Sequence, residues 1–329
     1  GFIGSAVVRR LLADGRSVRA IIEPNAKTGA LDEVEREAKK QVDRVTADVV
    51  DFDAMARALE GCSTLFHLAA IYKTWMPDPT AIYRVNVEGT TSTLLAAQRA
   101  RIKKVVYTSS IAAVGIEGES STEHALATEN TRFDLFPIAN EYILTKWLSE
   151  RVAMRFASSG LPVTIVNPAF PFGPRDSVPT PTGRIVISLL KGEVPGVGDG
   201  GFNCIDVDDV ASAHVAAETK GRIGERYILG DHNVTMKQFF DLVCEVGGVK
   251  APKLPLPKTL SAAIALGMEL WADHVSHEEP PATYRSIRYA QRHAWFDPTK
   301  ARTELGLPST PLRTSLERAI AWFRKAGMV

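Results

Sequence analysis

Between Gly4 and Asn167 the chain switches repeatedly from helical to strand periodicity, and this alternation restricts it to one fold class. Gly4 to Leu12 carries small and apolar residues at helical spacing (Ala6, Val7, Leu11, Leu12). It closes at Asp14-Gly15, where glycine tolerates the left-handed backbone that ends a helix. Val18 to Ile22 is then an apolar run of strand length. The pairing recurs as helix Asp53 to Leu59 and strand Thr64 to Ala69, helix Val87 to Ala100 and strand Lys104 to Ser109, and helix Glu141 to Ser158 and strand Val163 to Asn167. Strands separated by helices of this length require right-handed crossovers, so the first half is expected to be α/β, a doubly wound parallel sheet.

From Pro168 the pattern changes. Pro168, Pro171, Pro174, Pro179, Pro181, Gly196, Gly198, Gly200 and Gly201 crowd together, so long shaped loops, Arg175 and Arg184 among them, are expected to face a substrate. A helical tail N-capped at Asp297 and a last helix from Leu312 to Lys325 end the chain. With 329 residues, 45% of them hydrophobic, the chain can bury a large core. Its 39 basic and 38 acidic residues leave a net charge of +1, with no basic stripe interleaved with aromatics, so a nucleic-acid partner is excluded.

Cys62, Cys204 and Cys244 are widely spaced and match neither a disulfide framework nor a zinc site, which fits a reduced, cytoplasmic setting. Leu260 to Trp271, interrupted by Glu269, is shorter than the roughly 20 residues that span a bilayer. Without a strongly basic opposite face it is expected to pack in the core rather than touch a membrane. His274 and His277, with Asp273 and Glu278, read as a solvated loop, and no metal site is expected. The chain starts at Gly1 with neither methionine nor signal sequence and reads as a truncation.

Gly1-Phe2-Ile3-Gly4 before an amphipathic helix matches the second half of a glycine turn, which lets backbone approach a pyrophosphate at the positive helix terminus. Glu23 follows the next strand, where a carboxylate accepts hydrogen bonds from ribose hydroxyls and repels a 2'-phosphate. NAD is therefore favoured, with NADP left open by Arg19 and Lys27. Asp48, beside Val49 after the expected third strand, is placed to bond an adenine amino group.

Tyr142 and Lys146 stand four residues apart, one above the other on a helix face. A phenol with a pKa of about 10 is a poor base, but a nearby ammonium stabilises its phenolate. Tyr142 can then exchange a proton with an alcohol or carbonyl as hydride moves. Thr108-Ser109-Ser110 ends the preceding strand, and Ser110 is placed to hold the substrate oxygen.

These features, with Phe66-His67-Leu68-Ala69-Ala70, Asn86-Val87-Glu88-Gly89-Thr90 and Asn167-Pro168, resemble the extended short-chain dehydrogenase/reductases, or NAD-dependent epimerase/dehydratases. Within that group Tyr72-Lys73-Thr74-Trp75, Gly173-Pro174-Arg175-Asp176, the Pro179–Ile185 segment, Val207-Asp208-Asp209-Val210 and the Gly224–Gly230 segment are similar to hopanoid-associated sugar epimerases. The resemblance implies Ser110, Tyr142 and Lys146 as the catalytic trio. It places Leu68, Ala69, Ala70, Thr108, Asn167 and Pro168 beside the cofactor and makes Asn86 a structural or water-holding residue of the helix before the serine strand. It also implies a Rossmann-like domain over residues 1–167, lacking its first strand, with 203–230 returning to it. Residues 168–202 and 231–329 would form the smaller C-terminal substrate lobe.

The family's diphosphate-binding arginine has no counterpart in Phe202-Asn203-Cys204-Ile205-Asp206. The expected activity is hydride transfer on a sugar, polyol or related carbonyl compound, in hopanoid side-chain biosynthesis. A carbonyl reductase of the dihydroflavonol-reductase kind is the alternative, and a non-enzymatic dinucleotide-binding redox sensor the third reading. Tyr72, Arg175 and Arg184 are the candidate substrate contacts. The partner is a small molecule, and a homodimer is left open.

Overall fold

The computed structural model describes residues 1–116 and 125–329. In chain order the first half comprises α1 (Phe2–Ala13), β1 (Arg19–Ile22), α2 (Gly29–Ala38), β2 (Asp43–Thr46), α3 (Phe52–Leu59), β3 (Thr64–His67) and α4 (Thr80–Tyr83). A π-helical turn (Arg84–Glu88), α5 (Gly89–Arg99), β4 (Lys104–Thr108), a 3-10 turn (Ile111–Ala113), α6 (Glu141–Ser158) and β5 (Val163–Pro168) follow. The second half continues with β6 (Phe170–Phe172), α7 (Pro181–Leu190), β7 (Val197–Gly198), β8 (Gly201–Asp206), α8 (Val207–Thr219), β9 (Arg226–Leu229), β10 (His232–Thr235) and α9 (Met236–Gly247). It ends with β11 (Pro255–Leu256), α10 (Lys258–Trp271), a second π turn (Ala272–Ser276), α11 (Tyr284–Ala290), β12 (His293–Ala294), α12 (Thr299–Leu305) and α13 (Leu312–Lys325).

The alternation produces the expected α/β architecture. Parallel strands run in the order β3-β4-β5-β9, and β1 and β2 form a separate parallel pair. Strand β9 returns to the main sheet beside β5, whereas β8 joins a smaller mixed sheet with β6, β10 and β12. Two apolar clusters cover the main sheet. One contains Val106, Val166 and Tyr227, the other Val105, Ile165 and Leu94. A third, around Phe172, Phe202, Phe239 and Phe323, fills the C-terminal lobe. Burial on both faces explains why β4 and β5 read as continuous apolar runs.

Helix α6 spans the residues expected of it. Asn140 is extended and its side chain accepts from the Ile143 N–H, satisfying an N–H that the helix start would leave open. Three expectations need correction. Arg184 sits on α7 rather than in a loop, because Pro181 occupies the first turn and the Thr180 hydroxyl caps the Gly183 N–H. The polar run around His274 is a π-helical continuation of α10, exposed as expected but not a loop. Leu260 to Trp271 does not pack in the core. Only Ala262 and Ala265 of α10 are buried, because its inner contact is made by small residues, while Leu260, Ile264, Leu266, Met268, Leu270 and Trp271 face outward.

Candidate active site

The carboxyl ends of β4 and β5 and the first turns of α6 meet at one point. Lys146, one turn beyond Tyr142, is buried, and its Nζ donates to the Thr108 carbonyl at 2.8 Å. The same ammonium lies 5.4 Å from the centre of the Tyr107 ring, a cation–π contact. Burial pushes Lys146 down to about 8, against the opposing charge of Glu150. Tyr142 stands next to the Ser110 side chain, and burial pushes its hydroxyl up to about 12. The group that opposes this rise is the Ser110 hydroxyl. Lys146 was expected to lower the phenol; in this arrangement its ammonium is instead engaged with the backbone of β4.

The Tyr72 ring packs on Tyr142, with centroids 4.5 Å apart. Tyr289 of α11 adds a third phenol close enough to disfavour ionisation of Tyr72, and burial holds both Tyr72 and Tyr289 well above the ordinary tyrosine value. The segment carrying Tyr72 is tied down by Asn86. Its Oδ1 accepts from the Ile71 N–H at 2.7 Å, and its Nδ2 donates to the Ile71 carbonyl and to Thr145 Oγ1. Asn86 lies in the π turn before α5 and bridges the Tyr72 segment to α6, consistent with a structural part.

A buried network supports the site from beneath. Asn167 Nδ2 donates to the Ser110 carbonyl at 2.9 Å and to Glu150 Oε2 at 2.6 Å. Glu150 is fully buried and pairs with Arg226 at 2.8 Å. His214 of α8 bonds Thr108 Oγ1 at 2.9 Å, with its other ring nitrogen on the Val210 carbonyl. His67 bonds Thr90 Oγ1, and burial, aided by Lys146, pulls it down to about 3. Glu150, His214 and Tyr289 carry no local signal in the sequence, and His67 and Arg226 stand there only within motif strings, since long-range packing alone brings them here.

The dinucleotide-side residues lie at strand ends and at the start of α1. That helix starts at Phe2 with no acidic residue in its first turn, and a Cβ at Gly4 would meet nothing within 4 Å. Phe2 and Ile3 form the first turn beside Gly4. Glu23 is exposed after β1. Asp48 follows β2, accepting from the Val50 N–H and lying 3.9 Å from Arg84, while Val49 packs against Gly89. Leu68, Ala69 and Ala70 follow β3, and Thr108, Asn167 and Pro168 end β4 and β5. Asn167 Oδ1 and Ser109 Oγ are buried without a hydrogen-bond partner among the described residues. Unpaired polar atoms at the ends of β4 and β5 fit a dinucleotide laid across the carboxyl edge.

The structure does not bring the two candidate arginines to the site as free cations. Arg175 pairs with Glu37 of α2 at 2.6 Å, and Arg184 pairs with Glu279 at 2.9 Å. Asp176, between them in sequence, is buried; its carboxylate accepts from Thr180, and burial pushes it up to about 6.

Fold and site together define a nicotinamide-dependent oxidoreductase. The model of the NAD dependent epimerase/dehydratase family matches residues 1–230, and the chain belongs to that family. It is 34% identical over 333 residues to a Synechocystis sp. protein named for dihydroflavonol 4-reductase, covering 100% of this chain and 94% of that one. It is also 34% identical over 331 residues to sterol demethylase protein B of Methylococcus capsulatus, covering 100% and 97%. The crystal structure of gox2253 superposes with a TM-score of 0.86 at 36% identity, over 100% of this chain and 97% of that one.

Proposed function

We propose that this protein interconverts a secondary alcohol and a ketone on an apolar, ring-fused compound of the triterpenoid kind, exchanging its nicotinamide cofactor each turnover. When bound, a nicotinamide cofactor would supply the hydride chemistry. Tyr142, protonated as burial holds it, would give its proton to the carbonyl oxygen in reduction, and as the phenolate so formed would take it back from the substrate hydroxyl in the reverse, oxidative direction. Ser110, next to Tyr142, would hold the same oxygen. Lys146 is a positioning cation, fixed by Thr108 and kept close to the phenol by the helix. Asn167 and Glu150 hold the Ser110 backbone and the base of α6. Gly1 to Gly4, Glu23, Asp48, Val49, Leu68, Ala69, Ala70, Thr108, Asn167 and Pro168 would line the NAD side of the cleft. Tyr72 would meet the substrate.

The observation that carries this reading is the Ser110–Tyr142–Lys146 cluster beneath an aromatic wall of Tyr72 and Tyr289. The relatives' names, a dihydroflavonol reductase and a sterol demethylase protein, refer to ring-fused, weakly polar compounds. A hopanoid has the same character, so the hopanoid expectation is kept in its skeleton. A nucleotide-sugar substrate is disfavoured, because Arg175 and Arg184 are each engaged by a glutamate.

The test is to follow nicotinamide absorbance with triterpenoid, flavonoid and sugar alcohols and ketones, while analysing product stereochemistry. Stoichiometric cofactor turnover on an apolar substrate, abolished in Tyr142→Phe, is expected. Inversion without net cofactor turnover would make it an epimerase. Cofactor binding with no conversion would make it a sensor.

A further inference from the structure

We propose that α10 rests on the surface of an anionic lipid bilayer, as an in-plane contact beside the mouth of the cleft. Leu260, Ile264, Met268 and Trp271 recur at helical spacing, which places them within an arc of about 80°, and Val275 follows in the π turn. Leu260 is 50%, Trp271 61% and Val275 53% exposed. Ala263, Leu266, Gly267 and Leu270 extend the apolar surface to about 200° of the helix circumference. No charged residue occurs from Thr259 to Met268. Glu269 turns inward and accepts from the Tyr284 N–H.

The choice of a bilayer over a protein partner rests on width and charge. A partner helix covers a narrow seam, whereas half a helix circumference of large apolar side chains suits immersion at a headgroup boundary. Lys258 in the first turn of α10 is paired with Asp199 at 3.0 Å, but Lys250 and Lys253 lie on the approach to the helix, both exposed and followed by exposed Leu254. They supply the positive charge that an anionic surface attracts. No described helix is long and apolar enough to cross a membrane, so the contact is interfacial.

The surface is continuous with the candidate active site. Asp273, in the turn that extends α10, accepts from Trp75 Nε1 at 2.8 Å, and Trp75 follows closely on Tyr72, whose ring packs on Tyr142. Tyr284, bonded to Glu269, begins α11, which carries Tyr289. A weakly polar substrate can thus pass from lipid to cleft without crossing bulk water, a consequence that rests on the reading given under Proposed function.

The test is co-sedimentation with phosphatidylcholine vesicles and with vesicles carrying one quarter phosphatidylglycerol. Neither contains substrate, so the result is independent of the proposed chemistry. Sedimentation with the anionic vesicles is expected. It should fall at least about fivefold in Ile264→Glu/Trp271→Glu and in high salt, and partly in Lys250→Glu/Lys253→Glu. Melting temperature and NADH binding, both unchanged, establish that the variants are folded, and the milder Leu260→Ser/Met268→Ser gives a second reading. Three results would overturn the proposal: no sedimentation with either vesicle, binding that survives the glutamates, or self-association that the same glutamates abolish. The last would make α10 a contact between copies of the chain.

Discussion

The ring of Tyr72 lies on that of Tyr142 with its plane tilted by 40°, so the phenol proposed to carry the proton stands against an aromatic wall. Tyr142→Phe keeps that stacking and removes only the hydroxyl. The turnover rate should fall by about 10²–10⁴, while unfolding free energy changes by about 1 kcal/mol or less. Tyr72→Ala should instead raise KM for the apolar substrate more than it lowers kcat. Steady-state kinetics with urea unfolding of both variants decides this, and a Tyr142→Phe enzyme that retains most of its rate would remove Tyr142 from the chemistry.

Lys146 is held down at about 8, against an ordinary value of 10.5. Between those values the unfolded chain binds a proton that the folded chain has released, so folding is favoured as pH rises and disfavoured below about 8. Lys146→Met should be inactive. Its stability relative to the parent should decline by up to roughly 3 kcal/mol between pH 7 and pH 10.5. Urea titrations at the two pH values measure the difference, and a pH-independent difference would refute the buried-cation account.

His67 and His214 are held near 3 and 4 by burial, well below the ordinary 6.5. Their contribution is complete above pH 6.5 and is lost as pH falls toward those folded values, because the unfolded chain protonates first. Each should add a slope of about 1.4 kcal/mol per pH unit to the acid limb. His67→Gln should flatten that limb between pH 6 and pH 4, whatever it costs at neutrality. An unchanged slope in the urea midpoints would mean that His67 is charged in the fold.

Glu150 and Arg226 pair where neither has much water, with Glu150 fully buried. Glu150→Gln strands a guanidinium and should cost about 3–5 kcal/mol, whereas the double variant with Arg226→Met should recover much of it. Because Glu150 supports the charge on Lys146, the single variant should also shift the pH dependence of turnover to lower values. A stability loss with an unmoved profile would confine Glu150 to the scaffold.

Glu23 stands exposed at the end of β1. Glu23→Ala should weaken selectivity for NAD over NADP, because it removes both the ribose acceptor and the repulsion of a 2'-phosphate. The ratio of kcat/KM values for the two cofactors is the measurement. A ratio unchanged by the substitution would show that Glu23 does not face the ribose.

What the sequence discloses is what local interactions determine. Helix α6 could be bounded because the Asn140 cap and the apolar spacing after it are adjacent in the chain, and α13 was bounded by the same spacing. The π turn at Asn86 was read as ordinary helix, since one extra residue in a turn leaves little trace in hydrophobic pattern. Thr180-Pro181 is a helix-start signal for the segment carrying Arg184, but the surrounding prolines and glycines mask it with the composition of a loop. The apolar character of α10 was legible, but its exposure was not. Composition fixes how greasy a helix is, while its neighbours decide which side they cover. The support beneath the site, Asn167 to Glu150 to Arg226, joins three distant segments and has no local signature.

The seam beneath α10 consists of Ala262 and Ala265, with Ala272 in the turn that follows, bonds from Gln291 to Lys258 and Ser261, and the Tyr284 amide on Glu269. So shallow an attachment leaves the Rossmann core indifferent to what this helix displays. Mutations across its outer face can accumulate without threatening folding, and drift there can retune what the enzyme encounters while the proton-transfer machinery stays constant. The outward character of this segment can thus change while the packing beneath it stays as it is.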